Sequence, residues 1–331
     1  MPETPPVVRA VVVTWNGAAL LPTALDSLLS QDVDIPMEVL VVDNASTDGT
    51  AELLRSRYPS VTVVTAPENL GFAGGAALGM RDSDAAYVAL LNNDARFEPH
   101  AVQALLDAMR RGEPSRVAAV TALVLLEPGD DDVLVNSTGT QVSAWGAGVD
   151  RDWLVPRGDE STTVDVFGFN GGACLLRADA VRSVGGFDPE LFLYYEDTDL
   201  SWRLRGAGWT IRYESSAVAW HRHASSSGVD SPVFRYHNTR NSLIVVGRHA
   251  PLQVVAASAL RQALGLVRAA LRAGPVASTT RARARGLGDA FRRTSKTFRE
   301  RGHLWRHATV SRRAVWVAAR ARSLPRASPT G

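Results

Sequence analysis

The sequence predicts an α/β fold with a mainly parallel central sheet flanked by helices, followed by a basic helical extension. Three observations predict it. Short β-branched runs alternate with segments of helical period through the first hundred residues. Those runs stop at polar residues, which gathers Thr14, Asp43 and Asp94 at the carboxyl ends of strands, the edge where open α/β sheets bind ligands. The charge then divides sharply: Met1 to Phe234 holds 16 Arg and no Lys against 32 acidic residues, whereas Arg235 to Gly331 holds 19 Arg and one Lys against Asp289 and Glu300 alone. A formal −16 body joined to a +18 tail accounts for a net charge of only +2.

The elements follow in order. "VVRAVVVTWN" (Val7 to Asn16) reads as a buried strand, and "AALLPTALDSLLSQ" as a helix with Leu21, Leu25, Leu28 and Leu29 at helical spacing. "MEVLVVDNASTDGT" repeats the pattern, with a strand over Glu38 to Val42, a polar end at Asp43 and Asn44, and a helix starting near Ser46. "VTVVTAPENLGFAGGAALGM" predicts a third strand, a glycine-rich loop and a helix, and "AAYVALLNNDARFEP" a fourth strand. After the buried strand "VAAVTALVLL", the polar, glycine-rich stretch to Trp153 predicts a long functional loop or small hairpins. "VDVFGFNGGACLLRADAVRSVGGF" restores a strand and a helix, and "YYEDTDLSWRLRGAGW" predicts a helix ending at Gly206 or Gly208. From Tyr236 onward the pattern is helical.

An apolar content of 45% with 21% charged residues allows a sizeable core in one large or two moderate domains. The start "MPETPPVVRA" lacks the basic and apolar regions of a secretory signal. The single cysteine, Cys174, excludes an internal disulfide framework and a thiolate cluster, and its apolar setting predicts a core position. In the tail the longest uncharged interval, "HAPLQVVAASAL", has 12 residues, short of the ~20 a bilayer span needs. A nicotinamide-dependent oxidoreductase needs a G-x-G-x-x-G turn after its first strand; "VVVTWNGAAL" has none, and "GFAGGAALG" lacks the spacing.

Three groups of residues can carry chemistry. Asp94, closing "LLNNDARFEP", can bind one divalent cation at a strand end and leave positions for diphosphate oxygens and water; Asn92, Asn93 and Asp94 also suit a plain turn. In "YYEDTDLSWR" a helix places Glu196 and Asp199 on one side and rotates Asp197 away, so the three acids do not share one role. Grouped carboxylates in a partly apolar pocket raise one another's pKa, as a general base acting on a hydroxyl requires, while acids in a first helical turn also complement the dipole. His221 in "AWHRHASSS" follows a strand-like run and is a competent ligand beside carboxylate oxygen, with His223 competing for the role.

Taken together, "VVVTWNG", "VVDNASTDGT", "NLGFAGGAALG", "LLNNDARFEP", "GGACLLRADAVRSVGGFDPELFLYYEDTDLSWRLRGAGW" and "AWHRHASS" resemble family 2 glycosyltransferases of the GT-A fold, in the bacterial rhamnosyltransferase-like branch. The resemblance covers Val7 to Ser227. It implies a nucleotide-sugar-binding and catalytic domain over residues 1–234, with 235–331 as the extension. Thr14 and Asn16 match the first strand end that contacts the nucleotide base, Asp43 the acid that hydrogen-bonds the base ring, and Asn44 lies beside it. Gly71 belongs to the matching glycine-rich stretch on the nucleotide-sugar side. Asp94 matches the metal-holding acid of the DXD-type motif, with Asn92 or Asn93 near the ribose or a metal-bound water. Asp197 matches the catalytic base with Glu196 its neighbour, and His221 matches a histidine that completes the metal site. Two departures stand out: Asn92 replaces the first acid of the motif, and Ala77 replaces an asparagine.

The resemblance implies a hexosyltransferase that uses Mn2+ or Mg2+ and works with inversion. Its donor is a nucleoside-diphosphate sugar, dTDP-rhamnose ahead of galactofuranose or mannose donors, and its acceptor a polyprenyl-diphosphate-linked saccharide of cell-wall or surface polysaccharide. A catalytically silent nucleotide-binding scaffold is the alternative within the family. In the tail, Arg261, Arg268 and Arg272 share one helix face, and Phe291, Phe298 and Trp305 recur every seven residues, each followed by an arginine. That pattern fits an interfacial helix on an anionic membrane better than nucleic acid, for which no zinc or RNA-recognition motif is present. Packing on the catalytic domain or formation of a homo-oligomer is the other use for these helices. The expected location is cytoplasmic, peripheral to the inner face of the cell membrane.

Overall fold

The computed structural model describes residues 8–111, 116–127, 133–222 and 231–320. The chain opens with β1 (Val8–Thr14), α1 (Leu21–Leu29), β2 (Met37–Asp43), α2 (Thr50–Arg57), β3 (Thr62–Thr65), α3 (Gly71–Gly79) and β4 (Tyr87–Leu91). β5 (Ala95–Phe97), α4 (Ala101–Arg111), β6 (Val117–Leu126), β7 (Val135–Ser137), β8 (Thr140–Val142) and β9 (Gly148–Asp150) follow. β10 (Ala173–Arg177), α5 (Ala178–Ser183), α6 (Glu196–Gly206) and β11 (Thr210–His221) complete the sheet region. The extension is α7 (Pro232–His249), α8 (Leu252–Ala273), α9 (Ser278–Arg292), α10 (Thr294–Arg306) and α11 (Arg312–Ala319).

The main sheet has the order β3-β2-β1-β4-β10-β6-β11-β5, with β7 added beside β6. β1 to β4 are parallel, and β6 and β11 share their direction; β10, inserted between β4 and β6, runs against both, as β5 and β7 run against their neighbours. Alternation along β1 supplies both layers: Val8, Ala10 and Val12 join Leu21, Leu25, Leu105 and Met109 under α1 and α4. Val11 instead joins Ala76, Val181, Leu200 and Leu204 under α3, α5 and α6. Cys174 is fully buried in this second layer, as its setting predicts.

Two local expectations are revised and a third, the small hairpins after β6, is met. The helix expected near Ser46 starts at Thr50, because Asp48 accepts from the Thr50 amide and hydroxyl (3.2 and 2.6 Å) and holds a turn ahead of it. The glycine-rich "loop" is itself helix: α3 begins at Gly71, and its glycines let it lie against β1, since a Cβ at Gly75 or Gly79 would come within 2.4 Å of Val13 or 2.6 Å of Val11. The polar stretch after β6 forms β7 in the main sheet and a separate β8–β9 hairpin.

The extension packs on α6. Trp202 is buried against His249 (stacked, 5.4 Å), Trp305 and Trp316, with Ile244 and Val245 in the same cluster. The predicted aromatic stripe is divided by a break at Arg293: Phe291 lies exposed on α9, whereas Trp305 on α10 points inward and donates to the Arg248 carbonyl at 2.9 Å. The exposed apolar side chains line α8 instead, with Leu252, Leu260, Leu264, Val267 and Leu271 outward. At 22 residues α8 is, by length and composition, long and apolar enough to cross a membrane, which the charge-free interval alone had hidden.

Candidate active site

The sheet brings its polar strand ends to one edge. Thr14 and Asp43 are paired in register at the ends of β1 and β2, and the turn Asn92–Asp94 leaves β4 beside them. Because β10 is antiparallel, its start reaches the same edge, preceded by Asn170, Gly171 and Gly172. β11 ends there too, with His221 opposite Ala95.

On one side lies a hydrogen-bonded floor. Asn93 Nδ2 donates to the buried Thr14 Oγ1 (3.0 Å), which fixes the turn against β1. The Asn16 amide donates to Ser46 Oγ (2.8 Å) while Asn16 Oδ1 accepts from the Thr47 amide (2.8 Å), joining the two strand-end loops. Asp43 Oδ1 accepts from the Ser46 amide at 3.0 Å. Asn44, fully buried, donates from Nδ2 to the Gly71 carbonyl at 3.0 Å. Gly71 has a φ of 67°, and a Cβ there would come within 2.2 Å of the Phe192 carbonyl oxygen, so the residue is required by close backbone approach.

In the centre, Asp94 Oδ1 lies 3.2 Å from His221 Nε2. His221 Nδ1 lies 2.6 Å from Asn136 Oδ1 on β7. A proton on Nδ1 donated to Asn136 leaves the Nε2 lone pair and the Asp94 oxygen converging on one point, the arrangement of two cation ligands with an oriented imidazole. Among the described residues no group of three or more His, Cys, Asp or Glu converges. Two protein ligands fit a cation whose remaining positions are filled by diphosphate oxygens and water. His223 lies outside the described residues.

At the same edge stand the acids that open α6. Asp197 accepts from the Gly171 amide (3.2 Å), the Thr198 amide (2.5 Å) and Thr198 Oγ1 (3.1 Å). Burial raises its carboxyl above the ordinary range, although these donors oppose the rise by favouring the charged form. Glu196 is pushed up to about 8, by burial first and by the neighbouring Asp197 charge second, and its Oε2 is buried with no hydrogen-bond partner. Both carboxyls are raised by burial and each feels the other, so the pair resists carrying two negative charges near neutrality. Asp199 serves a separate, structural purpose. Burial opposes its ionisation, but Arg203 (2.8 Å), Arg248 (3.1 Å) and His249 (3.0 Å) outweigh it and hold the carboxyl well below its ordinary value. The three acids do not share one role, as expected, but Glu196, which helical geometry places beside Asp199, feels the charge of its chain neighbour Asp197 instead.

Four contributors lay outside the sequence reading. Asn136 orients His221; Asn170 Nδ2 donates to Asp150 Oδ1 at 3.0 Å; and the Gly171 amide holds Asp197. Asp150, at the end of β9, is pushed up to about 6 by burial, with Asp197 adding to the rise. Only the "NGG" before β10, a polar interruption like "NND" after β4, carried a signal for any of them.

A mainly parallel sheet that gathers Thr14, Asp43, the Asp94–His221 pair and the start of α6 at one edge has the architecture of a GT-A glycosyltransferase. Comparisons with known proteins agree. The model of glycosyl transferase family 2 matches residues 10–137, and that of glycosyl transferase family group 2 matches residues 87–247. An N-acetylglucosaminyl-diphospho-decaprenol L-rhamnosyltransferase of Mycobacterium tuberculosis is 32% identical over 269 residues, covering 74% of this chain and 85% of that protein. A galactofuranosyltransferase of Mycolicibacterium smegmatis is 31% identical over 61% of this chain and 66% of its own length. A mannosyltransferase of Pyrobaculum calidifontis, solved with GDP-Man and Mn2+, shares the fold with a TM-score of 0.52, at 19% identity over 92% of this chain and 86% of its own. The chain belongs to glycosyltransferase family 2, in its rhamnosyltransferase-like branch.

Proposed function

We propose that the chain is an inverting, divalent-metal-dependent hexosyltransferase that moves a sugar, rhamnose favoured, from a nucleoside-diphosphate donor to a hydroxyl of a polyprenyl-diphosphate-linked saccharide in cell-wall or surface polysaccharide synthesis. The observation that carries it is the gathering of two sets of groups at one edge of the sheet. The Asp94–His221 pair lies at the strand ends, and Asp197 at the start of α6 is hydrogen-bonded to Gly171, which leads into β10 at that same edge. The choice of rhamnose and of a polyprenyl acceptor is supported by the similarity to the mycobacterial rhamnosyltransferase.

Thr14, Asn16, Asp43 and Asn44 would receive the base and ribose, with Gly71, Asn92 and Asn93 bounding the donor side. Mn2+ or Mg2+ held by Asp94 and His221 would neutralise charge on the departing diphosphate. Asp197 takes the proton from the acceptor hydroxyl as its oxygen bonds the anomeric carbon, and the bond from that carbon to the diphosphate breaks on the opposite face, inverting the centre. Glu196 beside Asp197 raises the proton affinity of the pair, which suits a group that accepts the hydroxyl proton. Location at the inner face of the cell membrane is supported by the outward leucines of α8 beside Arg268 and Arg272, which suit an anionic lipid surface.

The test is transfer to a synthetic polyprenyl-diphosphate N-acetylglucosamine from dTDP-rhamnose, UDP-galactofuranose and GDP-mannose, each with Mn2+, Mg2+ or chelator. Metal-dependent transfer from dTDP-rhamnose, reduced roughly 10²–10⁴-fold in Asp197→Asn, is expected. Transfer from another donor would replace the sugar assignment. Nucleotide binding without turnover would make the chain a silent scaffold.

A further inference from the structure

The segment that delivers the acids to the cleft is held in an unfavourable conformation. Phe192, Tyr194 and Tyr195 have φ of 63°, 67° and 73°, the left-handed region that aromatic residues adopt only when their surroundings impose it. Glu196 and Asp197 follow immediately. The Phe192 carbonyl also accepts from the Ala73 amide (3.0 Å), so the same segment ties the start of α3, on the donor side, to the start of α6.

One face of α7 imposes that conformation. Phe234, His237 and Asn241 stand three and four positions apart and align along the helix. Phe234 meets Tyr194 edge-on at 5.2 Å, and His237 stacks on Phe192 at 4.9 Å. Asn241, fully buried, donates from Nδ2 to the carbonyls of Leu191 (2.7 Å), Leu193 (2.9 Å) and Tyr194 (2.9 Å). Three carbonyls converge on one amide nitrogen only because the left-handed residues fold the backbone around it. Since Asn241 is shielded from water, loss of its amide leaves buried acceptors unmet.

We propose that Asn241 is a positioning residue for the catalytic carboxylate: through the folded segment Leu191–Tyr195 it sets where α6 begins, and therefore where Asp197 meets the acceptor. It touches no reacting group. This rests on the assignment of Asp197 as base, and it makes α7 part of the catalytic apparatus, so the basic extension is not a separable anchor.

The experiment compares the full-length wild type with Asn241→Leu, Asn241→Asp and Asp197→Asn, using the donor that supports transfer. Measured are kcat, donor KM, the pH–rate profile and hydrogen exchange across residues 191–199. The expected result for both Asn241 variants is a kcat lowered about tenfold or more with donor KM little changed, a displaced acid limb, and faster exchange confined to the segment. Folded Asn241 variants with wild-type kcat and pH profile, alongside an inactive Asp197→Asn, would overturn the positioning role alone. Full turnover in Asp197→Asn would overturn the base assignment and this inference with it. If the Asn241 variants do not fold, His237→Leu, which removes the stack on Phe192, is read by the same criteria.

Discussion

Replacing Glu196 with glutamine should stabilise the protein, and more so as pH rises. The folded carboxyl is pushed from 4.5 up to about 8. Between those values the folded chain binds a proton that the unfolded chain has lost, so stability falls as pH rises through the window, and the whole penalty is present above about pH 8. At 1.36 kcal/mol for each tenfold change the interval amounts to about 5 kcal/mol, and relaxation of the ionised cleft reduces it to roughly 2–4 kcal/mol. With an unfolding entropy near 2.1 cal/mol/K per residue, about 0.7 kcal/mol/K for 331 residues, the gain in Tm is about 3–6 °C at pH 9. Glutamine leaves its own polar atoms in the place of the partnerless Oε2, a cost that does not vary with pH. The readout is therefore the difference between variant and wild type from thermal melts at pH 4, 6, 7.5 and 9, in which titrating groups remote from the Glu196–Asp197 pair cancel. A difference that is flat across this range, or that shrinks toward pH 9, would refute the reasoning that Glu196 is held protonated by burial and by Asp197.

The Asp94–His221 pair, the extension and the exposed face of α8 each give a further prediction. Asp94→Ala should abolish transfer and weaken Mn2+ binding in the presence of nucleoside diphosphate, while Asn136→Ala, which removes the Nδ1 partner that orients the His221 ring, should weaken it about 10-fold or more; titration calorimetry distinguishes these from unchanged affinity. Arg248→Met removes ion pairs to Asp188 (2.7 Å), Asp199 (3.1 Å) and Glu300 (2.8 Å) and leaves Asp199 short of a buried partner, so a loss of about 3 kcal/mol and a Tm lower by about 4 °C are expected in a melt at pH 7. Changing Leu260, Leu264 and Leu271 of α8 together to aspartate should reduce co-sedimentation with phosphatidylglycerol vesicles without altering Tm, since these side chains are 62%, 48% and 81% exposed; unchanged sedimentation would discard α8 as the lipid-facing element.

By itself the sequence determined the alternation of strands and helices, the edge at which their polar ends meet, and the separation of Asp197 from Asp199. Each of these is local: apolar period assigns the element, and 100° per residue along α6 assigns the face. Burial and hydrogen bonding then keep Asp199, bound to Arg248 of the extension, apart from Asp197, bound to the Gly171 amide, while Glu196 feels the charge of Asp197 and not that of Asp199, as the helical face had implied it would. Contacts between distant residues had no such periodic signature. Asn136 meets His221 across 85 positions, and Asn241 meets Tyr194 across 47, and neither asparagine is distinguished from a turn or surface residue by its neighbours in the chain. Likewise the glycines of α3 resemble a loop until β1 is laid against them. The aromatic repeat resembles one stripe until the chain breaks at Arg293 and Trp305 turns toward Trp202. Tertiary structure decided these points because the energy of a buried amide, a close backbone approach or an indole in a core depends on which surface stands opposite, and only the folded chain supplies that surface.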